Sequence, residues 1–162
     1  NLSMCQPVLI SACLLGDNCR YDGCNSLISP LKNASIQWIP VCPETEGGMP
    51  TPRLKSELQY PASNILDFGK GILNEVGEDI ADAFVIGAKK SLQKISGQNV
   101  KYAILKSKSP SCGVGQVYDG SFSGKLIHGN GIFAQFAIDA GIKIISSDDT
   151  DKWSELLEGK SK

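Results

Sequence analysis

The sequence predicts a single α/β domain, a mostly parallel Rossmann-like sheet flanked by helices, and three observations predict it. Four short apolar runs have the length of strands: Pro7-Val8-Leu9-Ile10-Ser11, Gln37-Trp38-Ile39-Pro40-Val41, Tyr102-Ala103-Ile104-Leu105 and Lys143-Ile144-Ile145-Ser146. Helix-patterned segments alternate with them, which is how parallel strands are joined by crossover helices. The chain has 162 residues, 41% hydrophobic and 20% charged, enough for one domain that buries a core without disulfide support. One domain over 1–162, with residues 1–6 and 159–162 as flexible ends, is the expected organisation.

Taken in order, the first run reads as a buried strand. The second carries Pro40, which suits an edge strand or a strand end because proline cannot donate to a ladder. From Gly47 to Gly71 three prolines (Pro50, Pro52 and Pro61) predict a loop or extended arm over the surface. The clearest helix spans about Glu78 to Ile95, where Ile80, Phe84, Ala88 and Leu92 recur at four-residue steps. Glu78 and Asp79 at its start, Lys89, Lys90 and Lys94 near its end and Gly97 beyond it agree with the helix dipole and a glycine stop. A second helix is expected from Gly131 to Ala140 and a short terminal one from Asp149 to Leu157.

Sixteen basic against seventeen acidic residues give a net charge of −1 and a pI near 5.8. There is thus no broad electrostatic footprint for a membrane or long nucleic acid, and any nucleotide-like ligand is expected to be small. Disordered, collagen-like and coiled-coil compositions are excluded. No apolar stretch approaches the roughly 20 residues of a membrane span, and Asn1-Leu2-Ser3-Met4 lacks the pattern of an export signal. The expectation is a cytoplasmic monomer or homodimer.

Six cysteines, at 5, 13, 19, 24, 42 and 112, are too few for a disulfide scaffold and in the cytosol read as metal-binding or catalytic. Cys13, Cys42 and Cys112 each follow a strand candidate, and ligands of open α/β sheets collect beyond the carboxyl ends of strands. These thiols are expected to converge. Without the paired spacing of a zinc ribbon, distant thiolates suit an iron–sulfur cluster, and three ligands on a four-iron cube would leave one iron open. The alternative is that they are small buried hydrophobes. The two arginines, Arg20 and Arg53, fall in the cysteine-bearing loops and suit bidentate anion or carbonyl recognition, unless they are surface charges. Glu44 and Ser109 stand close in sequence to Cys42 and Cys112 and either move protons or cap turns. Lys106 and Lys108 either balance anionic charge or are solvated. Asp22 sits in a turn and is a weak site candidate, and His128, the single histidine, reads as structural. Gly129-Asn130-Gly131 before a helix is a weak phosphate-cradle signal.

In order along the chain stand Ser11-Ala12-Cys13-Leu14-Leu15-Gly16, Cys19-Arg20-Tyr21-Asp22-Gly23, Val41-Cys42-Pro43-Glu44 with Gly47-Gly48 and Pro50-Thr51-Pro52-Arg53, Ser109-Pro110-Ser111-Cys112-Gly113 and Tyr118-Asp119-Gly120. Together, over about residues 8 to 146, this set resembles the thiouracil desulfidase family. The resemblance implies an enzyme with an oxygen-sensitive [4Fe-4S] cluster that removes sulfur from thiolated uracil compounds, 2-thiouracil or 4-thiouridine monophosphate, by hydrolysis without net redox change. It implies Cys13, Cys42 and Cys112 as cluster ligands with one iron open, and Glu44 and Ser109 as proton-transfer residues. Cys19 also lies in a family motif and competes with Cys13 as ligand, whereas Cys5 and Cys24 match no motif position. Arg20, Arg53 and Lys106 are the expected substrate contacts. Two rivals stand beside this reading: a closed structural zinc module of Cys13, Cys19, Cys42 and Cys112, and a cluster-free nucleotide-binding domain.

Overall fold

A computed structural model describes residues 6–159. Of the ends expected to be flexible, 1–6 and 159–162, residues 1–5 (with Cys5) and 160–162 lie outside the described residues. The four apolar runs become β1 (Val8–Ser11), β2 (Trp38–Val41), β5 (Tyr102–Leu105) and β8 (Lys143–Ser146). They pair into one parallel sheet in the order β2-β1-β5-β8. Pro40 therefore lies on an edge strand, opposite Ile10, where its missing N–H interrupts no ladder.

Side chains alternate across β1 and β5 and feed two cores. Leu9, Ala103 and Leu105 face one layer, with Phe84 and Ala88 of α4 (Ala81–Gln93) and Phe133 and Ala137 of α5 (Ile132–Asp139). Val8, Ile10, Tyr102 and Ile104 face the other, with Leu14, Leu31 and Trp153 and Leu156 of α6 (Thr150–Leu157). The result is a three-layer α/β/α domain. No helix among the described residues is long and apolar enough to cross a membrane.

Two expectations change. The segment 47–71 is not a plain arm, because it holds β3 (Ser56–Leu58) and α3 (Ala62–Phe68), and β3 pairs antiparallel with β4 (Ile72–Asn74). Pro61, one of the prolines behind that expectation, and Gly69 bound α3 at its two ends. The long helix also begins three residues later than its periodicity suggests. Asp79 accepts the N–H of Ala81 at 3.0 Å and that of Gly71 at 2.8 Å and bridges Leu73, so it closes the hairpin instead of opening the helix. A second hairpin, β6 (Gln116–Tyr118) with β7 (Leu126–His128), is antiparallel and leaves His128 exposed.

Candidate functional site

β1 ends at Ser11 and turns directly into a 3-10 helix, Ala12–Leu15, which Gly16 terminates at φ +102°. This turn buries Cys13 at the carboxyl edge of the sheet. β2 ends at Val41, and Cys42 caps the short helix α2 (Pro43–Glu46) that carries Glu44. The chain leaving β5 passes Lys106 and reaches Cys112 through a turn in which Ser109 Oγ accepts the Cys112 N–H at 2.7 Å. Because β2, β1 and β5 are adjacent, all three cysteines come to one cavity of about 520 Å³, and Cys19, Arg20, Arg53 and Lys106 line it too.

Glycines allow the walls to close. A Cβ on Gly87 of α4 would stand 1.7 Å from the Pro43 carbonyl oxygen, and one on Gly47 would stand 2.1 Å from that of Ala83. α2 thus lies backbone to backbone on α4, and an ion pair of Glu46 with Lys94 adds to the contact. The Cys112 turn is held the same way. Gly131 fits against the Ser111 carbonyl, 2.4 Å from an added Cβ, and the N–H groups of Ile132 and Ala134 donate to the carbonyls of Pro110 and Ser111 at 2.9 and 3.1 Å. The helix N-terminus after Gly129-Asn130-Gly131 is therefore engaged in holding the Cys112 loop, and the phosphate-cradle reading of that turn falls away.

Glu44 sits at the centre of a polar chain. Its Oε1 accepts from Arg53 Nε at 2.9 Å and its Oε2 from Ser111 Oγ at 2.9 Å. The Oγ atoms of Ser111 and Ser109 are 3.2 Å apart, and Ser111 also reaches Cys112 Sγ at 3.8 Å. Arg53 lines the cavity, yet its guanidinium is engaged by protein acceptors. Nη1 donates to the Pro50 carbonyl and Thr51 Oγ1, and Nη2 to the Cys19 carbonyl at 2.7 Å. Its side chain is 7% exposed and that of Glu44 14%, so this charge-assisted pair is largely removed from water and fixes the carboxylate in place. Arg20 is freer, pairing with Asp22 at 3.4 Å and donating to Ser26 Oγ at 2.8 Å. Asp22 has this turn role and does not line the cavity. Cys24 is exposed and away from the site.

Three of the thiols, those of Cys19, Cys42 and Cys112, are hard to ionise where they stand. The Cys19 thiol is within hydrogen-bonding reach of the Cys13 and Cys42 thiols. Its pKa is pushed up to about 11, first by Cys13. Cys42 is pushed up further, first by its bond with Cys19 and then by burial. Burial pushes Cys112 up to about 12, against the hydroxyls of Ser11 and Ser111. Burial also lowers the Lys106 ammonium. Such thiols ionise when a cationic group binds them. Among the described residues no three His, Cys, Asp or Glu side chains are placed to hold a single metal ion, which does not favour a closed zinc module. A donor set that is all sulfur, spread over three loops around one cavity, instead fits a polynuclear iron–sulfur group.

Ser11 and Ser111 are the members that the linear sequence did not single out. Ser11 Oγ accepts the Lys106 N–H at 2.9 Å and holds β1 to the β5 exit. Ser111 has a signal in retrospect, since it adjoins Cys112.

A family model described as 2-thiouracil desulfurase matches residues 8–149. The Bacillus subtilis (strain 168) protein YbbK, itself uncharacterized, is 35% identical over 145 residues, covering 88% of this chain and 96% of its own. The solved structure of the [4Fe-4S]-dependent thiouracil desulfidase TudS matches with a TM-score of 0.81 and 32% identity, over 94% of this chain and 98% of that one.

Proposed function

This chain belongs to the 2-thiouracil desulfurase family, and from that premise we propose that it is a [4Fe-4S]-dependent thiouracil desulfidase, a single-domain cytoplasmic enzyme acting on a small thiolated pyrimidine. The observation that carries the reading is the joining of three strand-end thiols and the Glu44–Ser111–Ser109 chain in one cavity. Cys13, Cys42 and Cys112 would hold the cluster. When bound, an iron without a protein ligand supplies a Lewis acid suited to a soft thione sulfur.

The chain's own groups do the proton work. Glu44 keeps free lone pairs on both oxygens, so it takes a proton from the water that adds to the thiocarbonyl carbon. Ser109 returns a proton as the carbon–sulfur bond breaks, and Ser111 links the two. The sum is thione plus water to carbonyl plus hydrogen sulfide, with no electron gained or lost. Arg53 holds Glu44 and thereby serves the substrate indirectly. Arg20 and Lys106 line the cavity and would contact the substrate there.

Anaerobic protein should carry about four irons and four sulfides per chain and release sulfide from 2-thiouracil or 4-thiouridine monophosphate. Glu44→Ala should keep the iron while kcat falls about 10²–10⁴-fold. Wild-type protein without iron or sulfide release would remove the reading.

A further inference from the structure

Among the described residues two non-glycine residues have positive φ, Lys108 at 66° and Phe122 at 56°, and both line the same cavity. An aromatic residue in the left-handed region is strained and persists only where its surroundings enforce it. For Phe122 the enforcing group is on the page. The buried carboxylate of Glu57 accepts two N–H groups on one oxygen, that of Gly120 at 3.0 Å and that of Phe122 itself at 3.1 Å. Gln59 Nε2 holds the Gly120 carbonyl at 3.0 Å. Core packing does not account for the conformation, since Phe122 belongs to neither hydrophobic cluster and is 39% exposed.

A strained, half-exposed aromatic ring at the rim of a cavity, fixed through its backbone by a buried carboxylate, has the form of a preorganised stacking surface. Planar heterocycles stack on aromatic rings irrespective of their edge chemistry. Resting on the desulfidase reading, we infer that Phe122 contacts the substrate by stacking on the face of the thiopyrimidine ring, and that Glu57 is the positioning residue that holds Phe122 there.

The test uses anaerobic holoenzyme, with sulfide release from 2-thiouracil, 2-thiouracil affinity by calorimetry and melting temperature measured on each variant. Phe122→Gly removes the ring and the strain together, so KM and Kd should rise about tenfold while kcat stays within about twofold and the melting temperature does not fall. Phe122→Tyr should restore KM. Glu57→Ala, which frees the loop, should raise KM as Phe122→Gly does. An unchanged Kd in Phe122→Gly, or a joint loss of kcat, affinity and melting temperature that Phe122→Tyr also shows, would overturn the assignment. Failure of the underlying reading looks different: wild-type protein then releases no sulfide, and the calorimetric difference between wild type and Phe122→Gly still decides Phe122.

Discussion

On the thiol side of the cavity, helices and turns meet through backbone atoms. Gly87 and Gly47 let α2 lie on α4, and Gly131 lets the Cys112 turn lie on α5. On the opposite rim, the β3–β4 and β6–β7 hairpins carry Glu57 and the 118–124 loop, and side-chain hydrogen bonds hold them together. The difference teaches where precision is needed. A cluster and a proton chain tolerate little displacement, and backbone contacts have no rotamers to adjust. The rim that carries Phe122 is instead fixed through two side chains, the carboxylate of Glu57 and the amide of Gln59.

The largest effect should come from Gly87→Ala. Its Cβ would overlap the Pro43 carbonyl, so α2 must move, carrying Cys42 and Glu44 with it. Urea denaturation should show a loss of about 3 kcal/mol, and iron content should fall with it. If Gly87→Ala keeps full iron and stability, the thiol wall is not as rigid as its contacts imply.

Next comes the contrast between Cys13 and Cys19. Cys13 is buried in a turn continuous with β1, whereas Cys19 is half-buried on a loop. Cys13→Ser should lose most of the bound iron, and Cys19→Ser should retain it. The reverse result in metal analysis would move the ligand from the rigid wall to the loop.

Ser111→Ala breaks the bridge from Glu44 to Ser109 and removes the hydroxyl 3.8 Å from Cys112 Sγ, but it leaves all three proposed ligands in place. Iron content should stay normal, while kcat falls about tenfold or more, within the lower range for proton-transfer groups. Single-turnover sulfide release would separate this from slow product release.

The smallest effect concerns Lys106, half-buried, its ammonium donating to the Ser107 carbonyl and hydroxyl. Burial lowers its pKa below 10.5, so the unfolded chain holds the proton more tightly and the charged lysine costs stability at neutral pH. Lys106→Met should raise the melting temperature slightly at pH 7, with the gain shrinking as pH rises toward 10.5, while substrate KM increases. A melting temperature that falls at pH 7 would show that its hydrogen bonds outweigh its burial.

The sheet was legible because its strands are continuous apolar runs, a pattern that depends only on neighbours in the chain. The limits of α4 were not, since Glu78 and Asp79 look like helix-opening acids until Asp79 is seen bonding Gly71 and Leu73 across the hairpin. The same distinction runs through the site. Cys13, Cys42, Cys112, Glu44 and Ser109 stand in recognisable motifs at or beyond strand ends. The junction of Glu44 with Ser111 spans 67 positions and that of Glu57 with Phe122 spans 65, and no local pattern marks either.

By itself the sequence determined the α/β class, the four parallel strands and the chemistry-bearing loops, because hydrophobic periodicity, strand-end placement and motif spacing are local properties. Only the tertiary structure decided which loops share a cavity, that Arg53 serves Glu44, and that a buried glutamate fixes Phe122 at the rim. Those facts depend on strand order and on backbone contacts between distant segments, where a missing Cβ or a single carboxylate oxygen settles the geometry.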